Sequence, residues 1–316
     1  MLLVVVEENA ARVTLLDAED GAVLHRIDVD SLPHEVEVDA EGRTAYVSNF
    51  GLRDYDLRLG RPGRSVAVID LARGRHLGHL WLAGDSARAG DTVGVSRAPH
   101  GLKLRPSAAR ELFVNTEVGG DSMIVFDVET RRRLRSFALP AGTHNFMFSP
   151  GGDTLWLMSA ASGVYRVDPT DGRVTGHLRT PTPARGLEWM PDGRLLVSGR
   201  AELLVVEPGS VHVERRIGDL GVSQILYTAV TPDGRFALAP APRDSVVAVV
   251  DLGSGRVVHR LRTGLAPIRV VVGPDARRAY VANAEDTHVS VIDLHDFALT
   301  RLGAVKGPNG LAVLRQ

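Results

Sequence analysis

The sequence predicts an all-β fold, a seven-bladed β-propeller with four antiparallel strands per blade. Three observations carry that expectation: one module recurs along the chain, its copies are evenly spaced, and the C-terminal strand supplies what the N-terminal segment lacks.

The module reads opening dipeptide, strand, Asp-Gly or Pro-Asp turn, strand, loop, strand, turn, strand. Its copies are PHEVEVDAEGRTAYVSN from Pro33, PHGLKLRPSAARELFVNT from Pro99, THNFMFSPGGDTLWLMS from Thr143, ARGLEWMPDGRLLVSG from Ala184, ILYTAVTPDGRFALAP from Ile225, PIRVVVGPDARRAYVAN from Pro267 and PNGLAVLRQ from Pro308. The second residues of the opening dipeptides are His34, His100, His144, Arg185, Leu226, Ile268 and Asn309. After the first interval they recur every 41 to 44 residues, the period of four short strands. Within a copy the apolar residues alternate with period two, as in SVAVIDL and SMIVFDV, and turns such as PTDGR and GSGR separate the last two strands. No stretch keeps a helical period.

The last copy holds one strand, whereas LLVVVEE, RVTLLDA and AVLHRID precede the first copy. One plus three makes a blade, so the last blade is expected to close by pairing the C-terminal strand with the three N-terminal ones, which removes the open edges. A single domain over residues 1–316 follows, since propellers grow by adding blades. Hydrophobic residues make up 44% of the chain but aromatics 5%, which leaves core packing to Val, Leu, Ala and Ile.

A net charge of -1 gives no global attraction to nucleic acid or to an anionic membrane, and neither is expected as a partner. Only Lys103 and Lys306 are lysines, so arginine carries nearly all the positive charge, read as composition bias first and anion recognition second. The absence of cysteine excludes disulfides, thiolate nucleophiles and Cys-ligated metals. The N-terminal apolar run stops at Glu7 and Glu8, too soon for a signal peptide or a span, and a cytoplasmic location is expected.

AYVSN at Ala45–Asn49, AYVAN at Ala279–Asn283 and the SVAVIDL, SMIVFDV and SVIDL strands resemble the YVTN-repeat propellers, the YncE-like group, over essentially the whole chain. The resemblance implies the fold and leaves function open, because propellers host enzymes, scaffolds and binding proteins. The PHG-type openings also resemble virginiamycin B lyases, propellers with a metal-assisted elimination site.

In such a blade the opening residues and the loops between second and third strands ring one mouth of the central channel. From His34 to His100 the interval is 66 residues, and the excess falls in FGLRDYDLRLGRPGRS from Phe50 and AGDSARAGDTVGVSRA from Ala83, both expected at that mouth. They read as a lid or binding wall, with a tolerated surface insertion as the alternative.

The chain has 11 histidines. His25, His79, His177 and His259 share contexts on outermost strands and read as packing residues. His34, His100 and His144 hold the same position in consecutive blades and point to a divalent metal site, for Fe, Zn, Cu, Mn or Ni. The plainer alternative is that inherited imidazoles satisfy backbone groups. Glu117, in NTEVGGD, is the candidate carboxylate ligand or general base, and Tyr227 a second acid-base candidate. Arg185 is placed to orient an anionic group. Asp54, Tyr55, Asn145, Gln224, Arg243, His288 and Asn309 complete the candidate substrate-binding residues. Asn49, Asn115 and Asn283 read as structural, holding loops by side-chain to backbone bonds. Walker, GxSxG, HExxH and dinucleotide fingerprints are missing.

The expectation is a metal-dependent enzyme acting on a small organic molecule, a lyase, isomerase or cyclase, or hydrolase. The alternative is a non-catalytic propeller that binds a ligand or protein at the same mouth.

Overall fold

The computed structural model describes residues 1–53, 56–83 and 96–315. The fold is a seven-bladed β-propeller: seven four-stranded antiparallel sheets, with one short 3-10 turn at Glu8–Ala10 as the helical element among these residues. Blade one is built from Pro33–Val38, Thr44–Asn49, Ser65–Asp70 and Arg75–Trp81, and blade two from Arg97–Arg105, Ala108–Val118, Ser122–Asp127 and Arg132–Ala138. Blade three runs from Thr143 to Leu178, four from Gly186 to Ile217, five from Ala229 to Arg262 and six from Pro267 to Leu302. In the seventh sheet Pro308–Leu314 pairs with Leu2–Glu7, followed outward by Arg12–Asp17 and Val23–Asp28, the closure expected from the sequence. No helix among the described residues is long and apolar enough to cross a membrane.

The chain divides into two compact units, one of Met1–Val5, Leu16–Val23 and Leu178–Gln316, the other of Val6–Leu15 and Leu24–His177. In the second, the core lies between facing sheets, and period-two alternation sends successive residues to opposite neighbours. Leu112, Val114, Ile124 and Phe126 of blade two pack with Tyr46, Val66, Val68 and Leu80 of blade one. Phe113, Met123 and Val125 pack instead with Phe146, Phe148, Leu155 and Leu157 of blade three. Burial on both faces is why the inner strands read as continuous apolar runs. The first unit repeats the scheme: Ala237, Ala239 and Ala241 face blade four, while Leu238 faces blade six.

Two local expectations need correction. The segment after Phe50 is not a plain loop: Leu52–Arg53 and Asp56–Gly60 form a separate two-stranded hairpin. Its root is tight, since a Cβ at Gly63 would lie 1.5 Å from the Asn49 carbonyl oxygen. The opening strand of blade five, expected from Ile225, is only Ala229–Val230. Ala229 pairs with Leu238, so Tyr227 would face Pro240, whose missing N–H ends the ladder. Leu226 N–H still donates to the Pro240 carbonyl at 3.0 Å, and Tyr227 instead forms a parallel bridge with Arg269.

Arginine has a structural use that composition does not reveal. Arg131 of blade two donates to the Leu77 carbonyl of blade one at 2.9 Å, and Arg105 to the Gly152 carbonyl of blade three at 2.8 Å. Arg215 of blade four donates to the Leu252 carbonyl of blade five at 2.6 Å, and Arg260 of blade five to the Leu220 carbonyl at 3.0 Å. Each clamps a backbone oxygen of an adjacent blade or of the segment joining it.

Phe113 is fully buried and meets Phe148 edge-on at 5.0 Å between ring centroids. Phe113→Ala is expected to cost about 3–5 kcal/mol, read as a lower urea midpoint with blades two and three loosened together.

Candidate metal centre

The candidate centre lies within the unit that holds blades one to three, and its geometry starts from an irregularity in their opening strands. In blade one the pairing passes from Pro33↔Asn49 to Val36↔Val47, and in blade two from Pro99↔Thr116 to Leu102↔Val114. Blade three shows the same step between Thr143↔Ser159 and Asn145↔Met158. Each opening strand therefore carries one extra residue at the histidine, a β-bulge. The Glu35 amide bonds the Ser48 hydroxyl at 3.0 Å and the Gly101 amide bonds Asn115 Oδ1 at 2.8 Å, so in blades one and two a side chain of the second strand satisfies the displaced N–H.

The bulges bring the three imidazoles into a row. His100 is fully buried in the middle, with ring centroids 4.3 Å from His34 and 4.3 Å from His144. Phe50, at the root of the blade-one hairpin, lies 5.4 Å from His34 and 5.3 Å from His100 by the same measure and shields one side of the row. Glu117 comes in from the second strand of blade two: its Oε1 is 3.1 Å from His144 Nδ1 and 3.7 Å from His100 Nδ1.

An ion bonded at about 2.1 Å to each donor holds its donors roughly 3 to 4 Å apart, so these separations suit a first-row divalent metal. Two groups of potential ligand atoms lie within 4.8 Å of one another: His100, Glu117 and His144, and His34, Glu35 and His100. Each group offers two imidazoles and one carboxylate.

Glu35 is the functional candidate that sequence reading missed. Regular alternation puts neighbours on opposite faces of a strand, so a histidine aimed at the channel assigns the next residue elsewhere. The bulge cancels that rule, and Glu35, 5% exposed, reaches the same cluster as His34. The PHE opening followed by a one-residue slip was the available signal. Asn145 has the same relation to His144, and its Nδ2 donates to Glu35 Oε1 at 3.1 Å, spanning from blade three to blade one. Gly101, the corresponding residue of the blade between, leaves room: a Cβ there would lie 2.2 Å from Asn145 Oδ1 and 2.7 Å from Asn115 Oδ1.

Burial pushes the Glu117 carboxyl above its ordinary value, against the opposing pull of the His144 hydrogen bond. Neighbouring Asp121 is likewise raised by burial, although it accepts the Gly142 N–H at 2.8 Å.

Of the other sequence candidates, Asp54 and Tyr55 lie outside the described residues. Arg185, Tyr227, Gln224, Arg243, His288 and Asn309 belong to the first unit. There Arg269 stacks over the Tyr227 ring at 4.2 Å, and Asn309 is buried on the C-terminal strand. His288 is buried with Nδ1 3.0 Å from Asp286 Oδ1. Arg185 is half-buried. Asn115 also donates to the His144 carbonyl at 3.3 Å, and Asn283 to the His288 carbonyl at 3.0 Å, the loop-holding role expected of them. Asn49 differs in binding side chains, those of Asp30 at 3.1 Å and Ser65 at 2.9 Å.

Gly101→Ala is expected to push aside the Asn145 and Asn115 amides, break the Asn145–Glu35 bond and lower metal affinity at least about tenfold, measured by competition with a chromophoric chelator on protein that circular dichroism shows still folded. In the metal-free protein the native state holds the Glu117 proton more tightly than the unfolded chain does. Stability contributed by that group is therefore lost as pH rises from the ordinary carboxyl value through the raised native one. Glu117→Gln removes the loss, so the metal-free variant should melt above the parent at neutral pH, with the gap closing in acid.

No protein-family model and no curated protein matches the chain. Solved structures do. Hydrazine synthase of Kuenenia stuttgartiensis is similar over 91% of this chain and 91% of that one, with TM-score 0.74 and 20% identity. The dihydro-heme d1 dehydrogenase NirN, in complex with DHE, is similar over 98% of this chain and 74% of that one, with TM-score 0.69 and 15% identity. A functionally unknown protein from Desulfotomaculum acetoxidans is similar over 99% and 98%, with TM-score 0.73 and 13% identity. At these identities the likeness establishes the β-propeller fold, and the chemistry has to be argued from the residues of this chain.

Proposed function

We propose that this protein is a metal-dependent enzyme acting on a small organic molecule at the histidine–carboxylate row of blades one to three. The observation that carries the reading is the convergence of His34, His100, His144, Glu35 and Glu117 on two overlapping sets of donors, each within 4.8 Å, with Glu117 3.1 Å from His144 and 3.7 Å from His100. Imidazole with carboxylate is the donor mixture of Zn, Fe, Mn, Ni and Cu sites with open positions. Such an ion polarises a substrate carbonyl or activates a bound water, which serves elimination, isomerisation and hydrolysis alike. The carboxylate with the raised proton affinity, Glu117, holds or passes a proton when it is not bound to the ion.

The YVTN-type strands AYVSN and AYVAN support placing the chain among the YncE-like propellers. Two of the structures similar in fold bear the names of enzymes, which supports catalysis as a use of this scaffold. Full burial of His100 favours one rival, in which an ion staples the opening strands and no turnover occurs.

Elemental analysis of untagged purified protein, beside a variant carrying His34→Ala, His100→Ala and His144→Ala, tests the reading. Transition metal in the parent and none in the still-folded variant is the expected result. Parent that stays metal-free after reconstitution with Fe, Zn, Cu, Mn and Ni overturns it. Metal that raises the melting temperature yet supports no turnover of carbonyl, ester or lactone panels favours the staple.

A further inference from the structure

The donors do not form one coordination sphere. Two ligand atoms of one ion lie at most about 4.2 Å apart, twice a bond of about 2.1 Å. His34 groups with Glu35 and His100, and His144 with Glu117 and His100, while His34 and His144 share no group among the described residues. His100, between its two neighbours in blade order, is the common member. Each group also has one carboxylate of its own, Glu35 or Glu117, both buried or nearly so. A single ion would bind one carboxylate and leave the other, Glu35 bonded by Asn145 or Glu117 beside His144, outside its sphere.

We infer that the row holds two divalent ions side by side, one on His34, Glu35 and His100 and the other on His100, Glu117 and His144, with the His100 imidazole bridging them. The inference rests on the metal reading above and deepens it. An imidazole nitrogen has one lone pair, so sharing His100 requires both ring nitrogens. His100 Nδ1 faces Glu117 at 3.7 Å and belongs to that ion, which leaves Nε2 for the ion at Glu35. Bridging removes the ring N–H proton to solvent and leaves an imidazolate, whose charge with the two carboxylates offsets most of that on two divalent ions. No redox change is involved. Asn145, through its bond to Glu35 Oε1, fixes which carboxylate oxygen is left to face the ion.

Zn(II) loading followed by gel filtration and elemental analysis reads the stoichiometry. Two ions per chain are expected in the parent and one each in Glu35→Gln and Glu117→Gln, with far-UV circular dichroism and melting confirming the fold. Gln at position 35 keeps the oxygen that accepts from Asn145, so this variant is not expected to unfold. Cu(II) loading adds a signature: bridged ions couple, and the parent's electron paramagnetic resonance intensity per copper should fall well below that of Glu35→Gln. One ion per chain in the parent, or a Glu35→Gln variant that still holds two, overturns the inference while leaving the metal site standing. No ion in the parent overturns both. Two ions with full, uncoupled Cu(II) intensity overturns the bridge.

Discussion

The extra residue at the start of each opening strand is the constraint on which the centre depends. A regular strand would alternate its side chains and scatter His34 and Glu35 to opposite faces. The bulge holds both toward one place, and it persists because the displaced amides find the Ser48 hydroxyl and the Asn115 carbonyl oxygen. Lose either acceptor and a buried N–H loses its partner, at the desolvation cost of that group. The scaffold and the donor set are thus set by the same hydrogen bonds. Blade two contributes by having nothing at Gly101, since any side chain there would run into the amide groups of Asn145 and Asn115.

Much of the fold was legible because a propeller repeats its own signal. A spacing of 41 to 44 residues, period-two alternation and one strand matched to three were enough to define seven sheets and their closure. The imidazoles were legible for the same reason, since equivalent positions in a repeat become neighbours. Glu35 was not, because alternation is a rule about regular strands and the bulge suspends it. The shortened opening strand of blade five follows from Pro240, a residue of its pairing partner, and was visible only once the register placed Tyr227 opposite it. Of the blade-one excess, the segment from Ala83 lies almost wholly outside the described residues, and the segment after Phe50 forms a hairpin that depends on close backbone packing at Gly63, which no composition signal reports.

Burial at the centre works against stability and toward binding. Glu117 is desolvated enough to hold its proton above the ordinary range, and His100 has no exposed surface. A pocket assembled for packing alone would fill such positions with apolar side chains, as the layers between facing sheets do. Local cost of this kind concentrates at functional sites and is offset by the surrounding core, here the interleaved layers that flank Phe113.

The arginine clamps bear on how such a centre can be handled. Arg131, Arg105, Arg215 and Arg260 grip backbone carbonyl oxygens, which neither titrate nor exchange counterions as carboxylates do. A chelator that competes with the ligands, or salt that screens surface charge, therefore leaves the grips between adjoining blades closed. An ion of the kind proposed for this centre is then removable and replaceable without parting the blades.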